Sequence, residues 1–382
     1  MEHQEWAQVV VAATRAPSIH NTQPWRFTAT ADQLDVFLDP ARALPVLDPT
    51  GRQQVISCGA AVEFAVVALA AAGWLSEVEL LPDAGDDDHL TTIRLVGRIE
   101  PTASDVRLAD AVGHRHTVRD PFQARDVPVQ LLDRLQAEAG AFGAWFKPVT
   151  RSEEEVATVF LIDRAEEMEQ GDPAYLAELQ TWLRTDPAAV DGVLVEAVPS
   201  GDPHQRPSSW SIRDFVVGTR PQASAGPGHD PDAPPPEVER PTVVLMGTDG
   251  DDRYSWLQAG RALGRVLVVA TSDGVAASPL TQALDWPATR ARLRQRLPGR
   301  TSADAPADGV PAGGCARGCQ RPTSGGRGAD ARVRRLSAGR ADQSVRRTGA
   351  QWSSASSAGP VPVGPGAVVR SSARRAAASS AS

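Results

Sequence analysis

Residues 52–72 of this 382-residue chain are apolar on nearly every side of a helix: Val55, Ile56, Ala60, Val62, Phe64, Val66, Val67 and Leu69 leave no polar stripe before Gly73. Such a helix has to be covered on most faces, so the fold must be built around it. The pattern returns at 254–272 and ends at Gly274, and Ala60, Ala61, Gly260 and Gly264 would let two such helices approach closely. A strand-like run precedes each helix, at 34–38 and at 242–246. Strand, long helix and glycine thus occur twice, which predicts two related halves, 1–105 and 106–297, packed as a dimer fused into one polypeptide.

The other elements follow from periodicity and breakers. Residues 5–16 predict a helix with Trp6, Val9, Val10 and Ala13 on one face, stopped by Pro17. Residues 25–27, 78–81, 92–96 and 144–149 predict strands, and 129–138 an amphipathic helix. The acidic loop 83–88 lacks the oxygen spacing of a calcium loop and predicts a solvated turn. An insertion, 152–240, starts with charged helical sequence to 184 and turns rich in proline and glycine. A stretch of that length predicts a lid over 186–220, with Trp210 and Phe215 able to dock, and a linker over 221–240.

Beyond residue 300 the chain changes character. Ala, Gly, Pro, Arg and Ser fill 61 of its last 82 positions, and Leu336 is the one leucine there, so too little apolar surface exists to offset the entropy of ordering. Residues 298–382 therefore predict a low-complexity, disordered tail. Lys147 is the one lysine against 38 arginines, as GC-rich coding would give, and a shifted reading frame after about Leu297 would produce such a tail. A genuine arginine-rich tail is the alternative. The net charge of -8 splits into -16 for residues 1–300 and +8 for the remainder.

That acidic body argues against nucleic acid as a partner. The start, MEHQEW, has no basic-then-apolar signal pattern. The most apolar stretch, 60–75, is interrupted by Glu63 and reads as too short to span a bilayer, so a cytoplasmic protein without a membrane partner is expected. Cys58 falls in the helical pattern and predicts a small buried residue. Cys315 and Cys319 lack a second ligand pair, and no metal is expected.

Two segments carry most of the chemistry. In Ala16–Phe27, APSIHNTQPWRF, a proline stop, a hydroxyl, two carboxamides and a Pro-Trp pair crowd into one helix-to-strand turn. Asn21 and Gln23 can both donate and accept, which suits a heteroaromatic ring edge. The segment resembles the turn motif P-S-x-x-N-x-Q-P-W of the nitroreductase family of FMN enzymes, matching at Pro17, Ser18, Asn21, Gln23, Pro24 and Trp25. In His114–Phe122, HRHTVRDPF, two guanidiniums and a hydroxyl around one turn suit a phosphate monoester. By itself it is a weak signal and reads more readily as a solvated basic turn. It resembles the family's phosphate motif at Arg115, His116, Thr117 and Arg119. Residues 275–282, VAASPLTQ, resemble a third segment that faces the flavin, at Pro279, Leu280 and Thr281.

The resemblance covers residues 1 to about 297 and is nearest the single-chain, Acg-type branch. It implies an α+β, nitroreductase-like fold with an antiparallel sheet in each half around the long helices, and one flavin site in a pseudo-dimeric monomer. It also implies FMN as cofactor, NAD(P)H and a small aromatic acceptor as partners, and no catalytic side chain, the flavin carrying the chemistry. His20 is expected to pack or face solvent. After residue 297 the family continues with a strand and a basic pair, which this sequence does not match. An FMN-sequestering protein without turnover, and a degraded product without stable function, stay open as alternatives.

Overall fold

The computed structural model describes residues 1–119, 122–123, 125–197, 213, 215 and 241–295, and the backbone of 334–336 and 370–371. Helix α1 (His3–Ala13) buries the expected Trp6, Val9, Val10 and Ala13, and Glu5 tethers its start by accepting from Glu2 N at 2.7 Å. Strands β1 (Trp25–Ala29) and β2 (Gln33–Leu38) form a hairpin in which Phe27 faces Val36. Helix α2 (Arg52–Ala71) follows, and Gly73, at φ 78°, turns the chain into β3 (Trp74–Leu80). Strand β4 (His89–Arg98) returns between β3 and β2, so that all these pairs are antiparallel. Strands β3 and β4 extend beyond the expected 78–81 and 92–96 because the hairpin continues to pair on the side away from the acidic loop, down to Trp74 opposite Arg98.

Helix α3 (Ala103–His114) was not among the sequence expectations, although its start was legible. Thr102 Oγ1 accepts from Asp105 N at 3.2 Å and Asp105 accepts from Thr102 N at 2.8 Å, a reciprocal cap written as T-x-x-D. Helix α4 (Val129–Gly140) leads into β5 (Ala144–Pro148), and the insertion begins with α5 (Ser152–Gln170) and α6 (Pro173–Trp182). Two short parallel strands, β6 (Leu183–Arg184) and β7 (Val193–Leu194), then close a loop. Strand β8 (Val244–Thr248) pairs with β5, Phe146 opposite Met246. Helix α7 (Arg253–Ser272), β9 (Val275–Ala276), α8 (Gln282–Asp285) and α9 (Pro287–Gln295) complete the body.

In the tail, β10 (Arg334–Leu336) lies antiparallel on the free edge of β1 and β11 (Arg370–Ser371) on β9. The rest of the expected tail, the linker 221–240 and most of the lid segment beyond Ala197 lie outside the described residues. The architecture is mixed helix and sheet with antiparallel sheets in both parts of the chain, as expected. Among the described residues the second part contributes the β5–β8 pair, the short parallel β6–β7 pair and β9, against four strands of the first part in one sheet.

Helices α2 and α7 cross at their glycines. A Cβ on Gly260 would collide with the Ile56 carbonyl and one on Gly59 with the Leu257 carbonyl, so only glycine permits this approach. Beside the crossing, fully buried Glu63 faces Arg265 at 2.6 Å and Arg261 at 3.3 Å. Burial nevertheless holds its carboxyl above the usual range. Helix α2 is also a correction. At 20 residues and a mean hydropathy of 1.8 it is long and apolar enough to cross a membrane, so the expectation that this region is too short fails. Glu63 interrupts the run in sequence, but α1, α3, α7 and the sheet cover the helix here. Cys58 is fully buried as expected; its Sγ donates to Pro24 O at 3.3 Å, and burial pushes its thiol up.

Candidate functional site

The turn from α1 to β1 is held in an uncommon backbone shape. His20, Asn21 and Gln23 have φ values of 45°, 52° and 52°, in the left-handed region that β-carbon sterics disfavour. Ser18 steadies it: its Oγ accepts from Gln23 N at 3.0 Å and its carbonyl from Asn21 N at 2.9 Å. From α2, Ser57 Oγ accepts from Ile19 N at 3.2 Å. Pro17, Ser18, Asn21 and Gln23 all line a cavity of about 600 Å³.

Arg115, at the end of α3, reaches the same cavity and donates from Nη2 to Arg15 O at 3.0 Å. Its Nε is buried without a partner. Burial, with Arg15 nearby, lowers this guanidinium to about 10. Arg119 is lowered by burial too and lies 5.2 Å over the Phe215 ring. Among the described residues no carboxylate pairs with either arginine. His116 and Thr117 line the cavity between them, and His116 Nδ1 sits 3.0 Å from His114 O.

The third segment is tied to the second by backbone. Thr117 bridges Ala277 in parallel, and Val118 N donates to Ala277 O at 3.2 Å. This brings Pro279, Leu280 and Thr281 into the lining of the same cavity. All eleven expected residues, from three segments more than 90 positions apart along the chain, therefore line one cavity.

The cavity differs from expectation at its carboxamides. Asn21 Nδ2 donates to Gly192 O at 2.9 Å, Gly192 N returns a bond to Asn21 O at 3.0 Å, and Gln23 Nε2 donates to Val190 O. Asp191 is gripped by Arg42 at 2.8 Å and by Arg184 at 3.0 Å. The 190–192 loop of the insertion is thus clamped across the turn, and both amides spend donors on it.

No family model matches the chain. The Mycobacterium tuberculosis protein named "Putative NAD(P)H nitroreductase Rv3131" is 35% identical over 292 residues, covering 76% of this chain and 79% of the relative. A second protein from that organism, named "Putative NAD(P)H nitroreductase acg", is 31% identical over 285 residues, 74% of this chain and 81% of its own length. A third, "Uncharacterized protein Rv3127", is 29% identical over 283 residues. This chain belongs to the nitroreductase family.

In this nitroreductase-family chain the site has a part that the sequence did not announce. Arg213, from the insertion, is buried and donates to both Glu169 oxygens, at 2.9 and 3.1 Å, and to Asp285. Asp285 also accepts from Gln53 Nε2 at 2.5 Å and from Thr281 Oγ1 at 2.9 Å. Arg213 Nη1 lies 3.2 Å from His20 Nε2; a guanidinium can only donate, so Nε2 accepts and the ring proton sits on Nδ1. Burial, then Arg213 and Arg119, hold His20 well below its ordinary range and neutral. His20 packs, as expected, with its ring 5.7 Å from that of Phe215, but it does not face solvent. One cluster of buried charges therefore joins the turn, α2, the insertion and the third segment. Gln53, Glu169, Arg213 and Asp285 match no motif used above, and Glu169 and Gln53 sit among other charged or polar residues that hide them in the sequence.

Proposed function

We propose that this chain is an FMN-dependent NAD(P)H oxidoreductase acting on nitroaromatic or quinone-like acceptors. The gathering of the three motif segments around one cavity carries the reading. Cavity chemistry fits the cofactor: the half-buried guanidiniums of Arg115 and Arg119, which no carboxylate meets among the described residues, suit a phosphate, and Gln282 Nε2 is a buried donor without a partner among those residues. Arg115, Arg119, His116 and Thr117 would hold the phosphate. Pro17, Ser18, Asn21 and Gln23, with Pro279, Leu280 and Thr281, would hold the ring. When bound, FMN supplies the redox chemistry, taking hydride from NAD(P)H and passing electrons to the acceptor. The protein binds, orients and excludes water. The α2–α7 crossing supports a fused pseudo-dimer with halves 1–105 and 106–297; a monomer in the cytoplasm is part of the same proposal.

A second reading, an FMN-sequestering protein, is favoured by the bonds from Asn21 and Gln23 to the insertion, which narrow the approach to the ring side. Purified full-length chain titrated with FMN and then assayed for NAD(P)H oxidation with a nitroaromatic separates the readings. FMN binding with acceptor-dependent oxidation is expected. Bound FMN with no turnover favours sequestration, and failure to bind FMN rejects both.

A further inference from the structure

A second cavity, of about 240 Å³, lies between the β5–β8 sheet and helices α5, α7, α8 and α9. It meets the first cavity only through a shared wall that includes Gln53, Ile56, Leu263 and residues 278–281. Its body is apolar, lined by Trp145, Phe146, Leu245, Leu267, Leu284 and Leu293. One end is different: Arg52, Arg290 and Arg294 gather there around Asp251. Arg294 reaches Asp251 at 3.0 Å and Arg52 Nε lies 3.5 Å from it, while the same carboxylate accepts from Trp256 Nε1 at 2.7 Å. The Arg290 guanidinium donates to Leu284 O at 3.0 Å, its one hydrogen-bond partner among the described residues.

The other acids near this end are committed elsewhere. Asp285 serves Arg213, Gln53 and Thr281, and Asp48 accepts from Gln54 N at 2.9 Å. Arg52 is left with Nε and Nη1 buried and without a hydrogen bond. A buried guanidinium short of acceptors is costly, and a ligand carboxylate satisfies it with charge-assisted bonds. A dry 150 Å³ cavity takes benzene, so this one holds roughly ten non-hydrogen atoms.

We infer that this cavity is a binding site for a small apolar monocarboxylate, its carboxylate on Arg52, Arg290 and Arg294 and its alkyl or aryl body between β5, β8 and α7. Isothermal titration of the full chain with phenylacetate, octanoate and neutral phenylacetamide tests it. One saturable site per chain is expected for at least one acid, with the amide about tenfold weaker or more. Which acid binds tells an aryl from an alkyl ligand.

Arg294→Gln, at an exposed position, should weaken the acid about tenfold while leaving the amide and FMN titrations unchanged. Leu245→Trp should fill the cavity and abolish binding of the acid. No binding of either acid, equal binding of the amide, or loss of binding in Arg115→Ala rather than Arg294→Gln overturns the inference. FMN is titrated separately, so its failure to bind leaves this result readable.

Discussion

The Arg213 guanidinium holds the Glu169 carboxylate by two parallel hydrogen bonds, at 2.9 and 3.1 Å, with the Glu169 side chain wholly out of solvent. Asp285 shares the same guanidinium, so one cation neutralises two acids, Glu169 from the same insertion and Asp285 from the body. Removing it strands both. Arg213→Ala should lower unfolding stability by about 3–5 kcal/mol in urea titrations, and adding Glu169→Gln should recover part of that loss. A loss under about 1 kcal/mol would show that the cluster is not formed in solution.

The same pair sets a pH dependence. Burial pushes the Glu169 carboxyl up to about 7, against the attraction of Arg213. A carboxyl raised above its unfolded value favours the folded state when protonated, so its contribution is full below about pH 4.5 and is lost as pH rises through about 7. Glu169→Gln mimics the protonated form. Stability of the variant relative to wild type should therefore rise between pH 5 and 8, by on the order of 2–3 kcal/mol, in paired thermal melts.

Gly260 should tolerate no side chain. Gly260→Ala forces a Cβ against the Ile56 carbonyl and should cost about 2 kcal/mol or more, since backbone faces it. Gly113→Ala is the control: it is helical, meets nothing within 4 Å, and should stabilise by about 0.5–1 kcal/mol. Chemical denaturation of both variants checks the contrast.

Asn21 secures the insertion across the turn. Asn21→Ala removes the bond to Gly192 O, and limited proteolysis should cut within 184–197 faster than in wild type, in line with the loss of about 1 kcal/mol of local closure. Unchanged cleavage would leave the clamp to Asp191 and its two arginines.

How much was legible depended on how local the determinant was. The two runs of strand, helix and glycine and the three motif segments are written within short windows, where spacing alone fixes which side chains share a face. Even there α3 went unassigned, because its apolar face is only Leu108, Ala111 and Val112 and its cap was the stronger signal. The length argument about α2 also misled. Apolarity states that a helix is covered, and the sequence does not state by what.

Tertiary structure decided what the polar groups do. Asn21 and Gln23 carry donors suited to a ring edge, yet their partners lie 171 and 167 residues away, on an insertion whose return no local pattern announces. Arg213, Glu169 and Asp285 are separated by 44 and 72 positions and read individually as ordinary charged residues. A buried charge is tolerable only where opposite charge and hydrogen bonds meet it, so its partners are set by packing. By itself the sequence determined a covered helix pair and three segments of site chemistry; the close glycine crossing of α2 and α7 and the backbone bridge from Thr117 to Ala277 decided that those segments share one cavity.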